Sequence, residues 1–546
     1  MTMTYQTPLT HFLRHATERP EKPFLHQPVN GVHQTYTFAD TEQQARKLAG
    51  FFQAQGYVAG DRVGILAKNS AHWFITDLAI MMAGLVSVPI YATAGKTTIE
   101  YVIEHSAMKA MVVGNLDSID AAVNGIHADL PTIAMPGSTY EAKFSWADAV
   151  DESTAIEDVH QADIDDCMSI VYTSGTTGAP KGVVISFLNL ASAGAATSVA
   201  ISAAPGDRVL SYLPLAHITE RCVVEMVAYE KAVEVFFVES LDTFIDNLKY
   251  AAPTFFLSVP RLWVKFQQQI LAKMPPKKLN FLLAIPFIGK MVAKKIRTKL
   301  GLHHARVFAS GSAPISVEVL KWYQKIGVDI GEGWGMSETS GLSCGNFPFE
   351  SKLLGTIGRP VECVKMKLSD EGEILISGDG VFKEYYLSPK ITAESFTDEW
   401  FHTGDKGEIT EDGAFKIIGR IKEQFKTSKG KYVVPVPIER MLAINVQIEQ
   451  ACVIGYGRKQ PLALVVLAEG IDRNHETVQQ SLQQTLDEVN SELESHQRLD
   501  YLFLCKDEWS IENELLTPTL KLKRAQIEEH YQALLPESSK LKIIAE

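Results

Sequence analysis

The chain has 546 residues, 46% of them hydrophobic and 21% charged, which indicates a globular protein too long for a single hydrophobic core. Its 65 acidic and 52 basic residues leave a formal net charge of −13, which argues against a general nucleic-acid-binding protein. Six cysteines are scattered without a C-x-x-C pair, as is typical of reduced thiols, so neither a disulfide framework nor a cysteine zinc site is indicated. We therefore expect at least two domains and a cytoplasmic protein.

The first third of the chain alternates short apolar runs with amphipathic stretches. Residues 24–27 and 34–38 predict a β-hairpin around Asn30-Gly31, and Asp40 is the predicted cap of the helix that follows. Because such alternation of strands and helices usually forms a parallel sheet covered by helices, this part is predicted to be α/β. The remaining strands are predicted at 62–66, 86–91 and 111–114, with helices at 72–82 and 97–105.

Two long uncharged stretches, 78–95 and 182–206, have to be weighed as membrane spans. The first is interrupted by Gly84, Ser87 and Pro89. The second is rich in alanine, serine and glycine, which contribute little to membrane insertion. Both are predicted to be buried elements of the fold.

Residues 173–182 read T-S-G-T-T-G-A-P-K-G and lie between two apolar runs, which predicts a strand, a loop and a second strand. Glycines let a backbone approach a ligand closely, the hydroxyl groups are hydrogen-bond donors, and Lys181 adds a positive charge. This combination suits a polyphosphate. The spacing is not that of a Walker A loop, because Gly182 follows the lysine. An ordinary polar hairpin loop is the alternative.

The alternating pattern resumes after residue 207 and changes near the C-terminus. Strands are predicted at 254–257, 307–310 and 330–334, and two antiparallel strands with Asp-Gly turns at 372–377 and 415–418. After Arg420 the charged residues increase and an α+β pattern runs to the end. The predicted domains are therefore 1–419 and 420–546.

The loop sequence closely resembles the phosphate-binding signature of the adenylate-forming enzymes, a superfamily that includes acyl-CoA synthetases, firefly luciferases and peptide-synthetase adenylation domains. Further stretches match this family in the same order, so that the resemblance extends from Phe24 to Arg524. It implies a large N-terminal α/β domain of parallel and mixed sheets with a small antiparallel subdomain, followed by a small, mobile α+β C-terminal domain. The matching stretches are G-S-A-P at 311–314, G-W-G-M-S-E-T at 333–339, T-G-D at 403–405, R-I-K-E at 420–423 and T-P-T-L-K-L-K-R at 517–524.

The resemblance implies a binding site for ATP. Glu338, with Thr173, is the implied ligand of Mg²⁺, a cation that favours carboxylate and phosphate oxygens. Asp405 is the implied acceptor for the ribose hydroxyls, with Arg420 as a second ribose or phosphate contact, although aspartates often only cap turns. The other implied nucleotide contacts are Ser174, Gly175, Thr176, Thr177, Gly178 and Lys181 in the loop, Gly311, Ser312 and Ala313 in the adenine cradle, and Trp334, Gly335, Met336 and Ser337 beside the purine.

The C-terminal stretches imply a hinge and a catalytic lysine. Lys422 falls where the family has its interdomain hinge, and an exposed linker residue is the alternative. Lys521 is the implied catalytic lysine, which would neutralise charge as two anions meet. Lys523 and Arg524 lie close enough to compete for that assignment. Lys181, Glu338 and Lys521 together are the implied catalytic residues.

The stretch P-L-A-H-I-T-E-R at 214–221, with S-V-P-R-L-W at 258–263, moves the resemblance towards bacterial long-chain fatty acid acyl-CoA synthetases. His217 is the implied acyl-pocket residue, and a purely structural histidine is equally open. The implied reaction joins a long-chain fatty acid to coenzyme A with ATP and Mg²⁺, through an acyl-adenylate and with AMP as a product. An acyl-AMP ligase that loads a carrier protein, a CoA ligase for a medium-chain or aromatic acid, and a non-catalytic nucleotide- or lipid-binding module are the alternatives.

Residues 273–300 mix lysines with large apolar residues in an otherwise acidic protein. A locally basic, amphipathic segment suits the anionic inner face of a membrane. A peripheral membrane contact through 273–300 and an ordinary solvated helix face are both open. The sequence indicates neither an oligomeric state nor an acyl chain length.

Overall fold

The computed structural model describes residues 5–173, 180–511, 513–517 and 521–546. The chain forms two compact units, each with its own hydrophobic core. The first unit comprises 5–173, 180–366 and 376–401. The second comprises 367–375 and the described residues from 402 to the end.

The elements up to residue 173 follow the predicted alternation of strands and helices. In chain order they are α1 (Pro8–Glu18), β1 (Pro23–Val29), β2 (Val32–Thr37), α2 (Phe38–Ala54), β3 (Arg62–Leu66), α3 (Ala71–Met82), β4 (Val86–Ile90), α4 (Lys96–Ser106), β5 (Ala110–Val113), α5 (Asp120–Gly125), β6 (Thr132–Ala134), β7 (Phe144–Ser145), a π-helical turn (Ala147–Asp151) and β8 (Cys167–Thr173).

The cap of α2 differs from the prediction. Thr37 is the N-cap, and its hydroxyl accepts the Asp40 N–H at 3.1 Å. The Asp40 carboxylate in turn accepts the Thr37 N–H at 2.9 Å. Asp40 is therefore the reciprocal partner in a capping box, and the helix begins earlier than its first acidic residue suggested.

The elements of the middle of the chain alternate in the same way. They are β9 (Lys181–Ser186), α6 (Phe187–Ala200), β10 (Arg208–Ser211), α7 (Ile218–Glu220), a π-helical turn (Arg221–Met226), α8 (Val227–Lys231), β11 (Glu234–Phe237), α9 (Phe244–Ala251), β12 (Phe255–Ser258), α10 (Pro260–Lys273), α11 (Pro276–Ala284), α12 (Ile288–Lys299), β13 (Val307–Ser310), α13 (Val317–Gln324) and β14 (Ile330–Trp334).

Shorter strands and single 3₁₀ turns follow β14. They are a 3₁₀ turn (Ser337–Thr339), β15 (Cys344–Gly345), a 3₁₀ turn (Ser351–Leu353), β16 (Arg359–Pro360), β17 (Lys365–Leu368), β18 (Glu373–Ser377), β19 (Glu384–Tyr385), α14 (Pro389–Glu394), β20 (Phe396–Thr397), β21 (Trp400–Ile409), β22 (Phe415–Arg420) and a 3₁₀ turn (Ile421–Glu423).

The C-terminal elements have the predicted α+β pattern. They are β23 (Phe425–Lys426), β24 (Tyr432–Val433), α15 (Pro435–Leu442), β25 (Ile448–Ile454), β26 (Leu462–Leu467), α16 (Glu476–Glu492), β27 (Leu502–Leu504), α17 (Arg524–Tyr531), a 3₁₀ turn (Gln532–Leu534) and β28 (Ile543–Ala545).

The largest sheet is mixed and has the order β19-β9-β8-β4-β3-β5-β6-β7. Strands β4, β3, β5, β6 and β7 are mutually parallel, and β8 joins them parallel to β4. Strands β9 and β19 then continue the sheet antiparallel. The predicted parallel sheet is confirmed, and its antiparallel edge holds the end of β8 beside the start of β9.

The other sheets are smaller and are also mixed or antiparallel. Their orders are β10-β11-β1-β2, β12-β13-β14-β15-β16, β17-β18-β21-β20 with β22 on β21, β23-β24, and β25-β26-β27-β28. The predicted hairpin is the antiparallel pair β1–β2, in which Val29 lies opposite Val32. These sheets and their helices confirm the predicted α/β class, with antiparallel strands β20 to β22 in the predicted small subdomain.

Both stretches weighed as membrane spans are buried elements of the first unit. All twelve residues of α3 are buried, as are all five of β4. Helix α6 follows β9 directly, with Ser186 and Asn189 forming its capping box. No helix in the described ranges is both long enough and apolar enough to cross a bilayer.

The second unit begins earlier in the chain than the predicted domain boundary at 419–420. Residues 402–419 group with the C-terminal residues, because β22 packs against α15. A methyl group added to Gly419 would lie 2.3 Å from Cγ1 of Val434, so this approach depends on glycine. The core beneath β25 and β26 is formed by residues of α15 and α16, among them Ile438, Leu442 and Leu486.

Candidate active site

The strand pair β8–β9 places the two ends of the predicted phosphate loop side by side. Thr173 is the last residue of β8 and lies opposite Lys181, the first residue of β9, in the antiparallel register. Both side chains are half-buried. The predicted contacts Ser174, Gly175, Thr176, Thr177 and Gly178 lie outside the described residues.

Lys181 and Glu338 both contact Tyr385. The Tyr385 hydroxyl donates to Oε1 of Glu338 at 2.8 Å, and Nζ of Lys181 lies 5.0 Å from the centroid of the same ring. Strand β19 pairs with β9 and so carries Tyr385 to this position. Burial, followed by the nearby Glu338 carboxylate, raises the pKa of the Tyr385 phenol, so the hydroxyl stays protonated and donates.

The Glu338 carboxylate has the character of a cation ligand. The residue is only 9% exposed, and within the described ranges it forms no ion pair with a lysine, arginine or histidine. A buried carboxylate without a cationic partner is costly, so the position favours a bound cation. No group of three or more potential metal-binding side chains occurs in the described part of the chain. A single buried carboxylate fits Mg²⁺, which commonly takes one or two carboxylates and completes its shell with water and substrate phosphates.

The segment from Trp334 to Glu338 turns sharply after β14. A methyl group on Gly335 would lie 1.5 Å from the carbonyl oxygen of Gly341, so no other residue fits there without a backbone shift. The Met336 N–H donates to the Thr339 hydroxyl at 3.0 Å, and Ser343 donates to the same hydroxyl oxygen at 2.6 Å. These bonds hold the 3₁₀ turn that carries Ser337 and Glu338.

The G-S-A-P turn lies beside this segment. It follows β13, which is parallel to β14, and a methyl group on Gly311 would come 3.3 Å from the Gly333 carbonyl oxygen. Ser312 has a φ of +64° and is exposed together with Ala313. The structure therefore brings the predicted adenine cradle and the predicted purine-side segment together in the first unit.

In the second unit, Asp405 and Arg420 face each other across the strand pair β21–β22. Nε of Arg420 lies 2.8 Å from Oδ1 of Asp405. The aspartate is 3% exposed, whereas the Arg420 side chain is 39% exposed. Asp405 and Arg420, which were predicted separately as nucleotide contacts, thus form an ion pair that is buried at the carboxylate and half-exposed at the guanidinium.

Lys422 and Lys521 both lie at the surface of the second unit. Lys422 is exposed in the 3₁₀ turn Ile421–Glu423 that follows β22. Lys521 is also exposed, and its backbone is fixed by the reciprocal bonds Lys521 N–H to Thr517 Oγ1 at 3.0 Å and Thr517 N–H to Lys521 O at 2.8 Å.

Arg524, one of the two competitors of Lys521, is used for packing. Its Nη2 donates to Oε2 of Glu439 at 3.1 Å, and its Nη1 donates to the Val453 carbonyl at 2.9 Å. The guanidinium therefore links α17 to α15 and β25 in the interior of the second unit. Lys521 and Lys523 therefore stay the candidates for the catalytic lysine, with Lys521 exposed and Lys523 half-buried.

Two family profiles match this chain. The family profile described as AMP-binding enzyme matches residues 12–386, and that of the AMP-binding enzyme C-terminal domain matches 422–537. A long-chain-fatty-acid–CoA ligase of Mycobacterium bovis is 31% identical over 83% of this chain and 80% of its own length. The chain belongs to the AMP-binding enzyme family.

Two further comparisons concern this AMP-binding enzyme as a whole. A fatty acyl-CoA synthetase of Dictyostelium discoideum is 29% identical over 90% of this chain and 84% of its own length. The crystal structure of an anthranilate CoA ligase in complex with anthranoyl-AMP superposes with a TM-score of 0.80 at 20% identity, covering 97% of this chain and 98% of that one. The fold is therefore that of the adenylate-forming enzymes, and the sequence resembles the long-chain fatty acyl-CoA ligases.

The predicted acyl-pocket segment of this AMP-binding enzyme is fixed by buried polar contacts. His217 is the N-cap of α7, where its Nδ1 accepts the Thr219 N–H at 3.2 Å. The Glu220 carboxylate accepts from the Ser211 hydroxyl at 2.8 Å and from the Tyr212 N–H at 3.0 Å, and burial raises its pKa to about 8. As the N-cap of α7, His217 has a structural function, and a contact with a substrate would be additional.

Arg221 follows Glu220 and is fully buried in an ionic cluster that the sequence did not predict. Its guanidinium pairs with Asp77 at 2.6 Å and with Glu225 at 3.0 Å. It also donates to the Ser169 hydroxyl at 2.7 Å, four residues before Thr173 on β8. Arg221 thus ties α3 and the π-helical turn to the strand that leads into the phosphate loop.

Proposed function

We propose that this AMP-binding enzyme joins a long-chain fatty acid to coenzyme A, with ATP as the energy source and AMP as a product. The proposal is carried by the cluster of Lys181, Tyr385 and Glu338, in which a lysine and a buried carboxylate share one tyrosine, and the carboxylate has no cationic partner among the residues that the structure describes. Such a pair suits the phosphates of a metal-bound nucleotide. The 31% identity to a long-chain-fatty-acid–CoA ligase supports the choice of acid.

The first step of the proposed reaction is attack of a carboxylate oxygen on the α-phosphorus of ATP. The new P–O bond forms as the bond to the β-phosphate breaks, and pyrophosphate leaves. Because both reactants are anions, positioning and charge neutralisation dominate the catalysis. Lys181 would bind phosphate oxygens, and Lys521 would neutralise the charge that builds up between carboxylate and α-phosphate. When bound at Glu338, Mg²⁺ supplies further charge neutralisation at the phosphates.

The second step forms the thioester. The sulfur of coenzyme A attacks the acyl carbonyl carbon, the C–S bond forms, the thiol proton is lost, and AMP leaves with the former carboxylate oxygen. Lys422 is the proposed hinge about which the C-terminal domain turns between the steps. Its exposed position in a single 3₁₀ turn, two residues after Arg420, supports this assignment because an exposed side chain offers little resistance to a backbone rotation.

The nucleotide contacts complete the proposed site. Trp334, Gly335 and the turn at Gly311 would border the adenine, and Thr173 would lie at the metal side of the phosphates. Asp405 would accept the ribose hydroxyls through its buried carboxylate, which Arg420 orients. His217 remains the proposed acyl-side residue, on the resemblance of residues 214–221 to the acyl-pocket segment of long-chain enzymes.

Pyrophosphate release tests the proposal. The full-length protein is incubated with ATP, Mg²⁺ and a series of acids from acetate to oleate, with aromatic acids such as benzoate included. We expect release that depends on the acid, with the highest kcat/KM for the long chains. A preference for short or aromatic acids would overturn the substrate class, and no release with any acid would favour a binding module without catalysis.

The acyl acceptor is tested separately, because an acyl-AMP ligase performs the same first step. Coenzyme A and a phosphopantetheinylated carrier protein are supplied in parallel to the enzyme with the best acid. We expect thioester formation on coenzyme A. A thioester formed on the carrier alone would overturn this part of the proposal and leave the adenylation step intact.

A further inference from the structure

Helices α11 and α12 form a hairpin at the surface of the first unit, within a long part of the sequence that contains no carboxylate. Between residues 247 and 317 there is no aspartate or glutamate, whereas lysine and arginine occur twelve times. Over the whole chain, in contrast, 65 acidic residues outnumber 52 basic ones. The hairpin is therefore positively charged in a protein whose net charge is negative.

The lysines of the hairpin point into solvent. Six are exposed, and none of them forms an ion pair within the ranges that the structure describes. The hairpin thus presents positive charge that the protein itself does not neutralise, and anions outside the chain can approach it. The six are Lys277, Lys278, Lys290, Lys294, Lys295 and Lys299.

Large apolar side chains are exposed at the tip of the same hairpin. Phe287 is 82% exposed, Met291 70% and Phe281 67%. The opposite side of the helices is fixed to the core of the first unit, where Leu279 and Ile296 are buried. The hairpin therefore has two apolar surfaces. One packs against the core of the first unit, and the other, at the tip, is exposed among the lysines.

The backbone at the tip holds Phe287 in an unfavourable conformation. Its φ is +67° and its ψ is −48°, and the Ile288 N–H donates to the Pro286 carbonyl at 2.8 Å. This is a γ-turn with a positive φ at its centre, which is rare and strained for any residue with a side chain. Glycine would fit here without strain, so an exposed phenylalanine costs stability and gains little packing within the chain.

We infer that the tip of the α11–α12 hairpin docks on an anionic lipid bilayer, with Phe287, Met291 and Phe281 in the interfacial layer and the lysines on the lipid phosphates. An amphipathic surface binds membranes through buried apolar area together with attraction to anionic headgroups. A nucleic acid would neutralise the charge of the lysines, but the apolar side chains of the tip would then lie next to phosphate groups or water. Only a lipid leaflet offers an apolar layer directly below an anionic one.

Vesicle sedimentation with the full-length protein tests this inference. The vesicles are made of phosphatidylcholine alone or of equal parts phosphatidylcholine and phosphatidylglycerol. We expect the protein to sediment with the anionic vesicles, less so as salt is raised, and weakly with the neutral ones. Equal sedimentation with both kinds would overturn the inference.

Two variants separate the charge from the apolar tip. Substituting Lys290, Lys294 and Lys295 together by glutamine should weaken binding to anionic vesicles roughly a hundredfold, at about fivefold per lysine. Phe287→Gly should weaken it about tenfold, because it removes the most exposed ring. Since glycine suits the positive φ, this variant should unfold at no lower temperature than the parent, so a loss of binding would not reflect misfolding.

Matched controls lie elsewhere on the first unit. Leu387→Gly removes an apolar side chain that is 70% exposed at a φ of +53°. Substituting the exposed Lys22, Lys109 and Lys390 by glutamine changes the net charge by the same amount. Controls that lose vesicle binding as strongly as the hairpin variants would overturn the inference. So would a vesicle-independent dimer that the hairpin variants abolish, since the surface would then serve a second copy. Pyrophosphate release from a water-soluble acid tests the proposed reaction independently of these results.

Discussion

The hydroxyl of Tyr385 donates to the Glu338 carboxylate at 2.8 Å. The same ring lies 5.0 Å from Nζ of Lys181, so one side chain supports both the proposed metal ligand and the proposed phosphate-binding lysine. Tyr385 reaches this position because the two-residue strand β19 pairs with β9, whose first residue is Lys181. We therefore regard Tyr385 as a positioning residue for both groups.

Replacing Tyr385 by phenylalanine separates its two contacts. The ring and its contact with Lys181 remain, whereas Glu338 loses a hydrogen bond to a charged acceptor, worth about 2 kcal/mol. We expect the Mg²⁺ concentration for half-maximal pyrophosphate release to rise about thirtyfold, with a smaller change in the KM for ATP. Tyr386→Phe is the matched control on the neighbouring residue. An equal shift in both variants, or none in Tyr385→Phe, would contradict the positioning role.

Lys521 is expected to act in the first half-reaction only. Lys521→Ala should slow acid-dependent pyrophosphate release by about two to three orders of magnitude, because the charge between the two anions is no longer neutralised. It should spare thioester formation from supplied acyl-adenylate, in which no such charge builds up. Lys523→Ala is the control, since Lys523 is a second lysine of the same segment. A loss of both half-reactions in Lys521→Ala would refute the assigned role.

The buried carboxylate of Asp405 should govern ATP binding. Asp405→Asn removes the charge that pairs with Arg420 and weakens acceptance of two ribose hydroxyls, so the KM for ATP should rise by about one to two orders of magnitude. The control is Glu408→Gln on the same strand, which breaks an exposed pair with Lys416 whose charges are 3.0 Å apart. Exposed pairs contribute little, so this control should leave the KM unchanged. A KM for ATP that is equally high in both variants would indicate a general effect on the strand pair β21–β22.

Much of the fold follows from local sequence patterns. The strands at 307–310 and 330–334 have the predicted bounds, because short apolar runs ended by Gly-rich turns leave little choice of boundary. The predicted N-cap of α2, Asp40, was wrong by one turn. Thr37 and Asp40 are both suitable N-cap residues, and only the reciprocal hydrogen bonds of the structure decide between them.

Contacts between distant parts of the chain could not be predicted. Tyr385 lies 47 residues after Glu338, and nothing in K-E-Y-Y-L distinguishes it from Tyr386 before the pairing of β19 with β9 is known. Arg221 could be read as a pocket residue because it follows His217 so closely. Its burial with Asp77 and Glu225 depends on helix packing that has no signature in a single sequence.

The buried Glu220 makes the stability of the first unit depend on pH. Burial raises the pKa of its carboxyl to about 8, above the ordinary value of 4.5 that holds in the unfolded chain. Below pH 4.5 both states are protonated and the contribution to stability is fully present. As the pH rises towards 8 the unfolded chain ionises first, so stability falls by up to about 1.4 kcal/mol per pH unit.

Glu220→Gln tests this dependence, because the amide oxygen can accept the same bonds from Ser211 and Tyr212 but does not ionise. We expect urea midpoints of the parent and the variant to diverge in favour of the variant as the pH rises from about 5 to about 8. Other titrating groups, including the buried Glu225, are common to both proteins and cancel in the difference. Parallel pH profiles would mean that Glu220 is ionised in the folded protein, with its hydrogen bonds outweighing its burial.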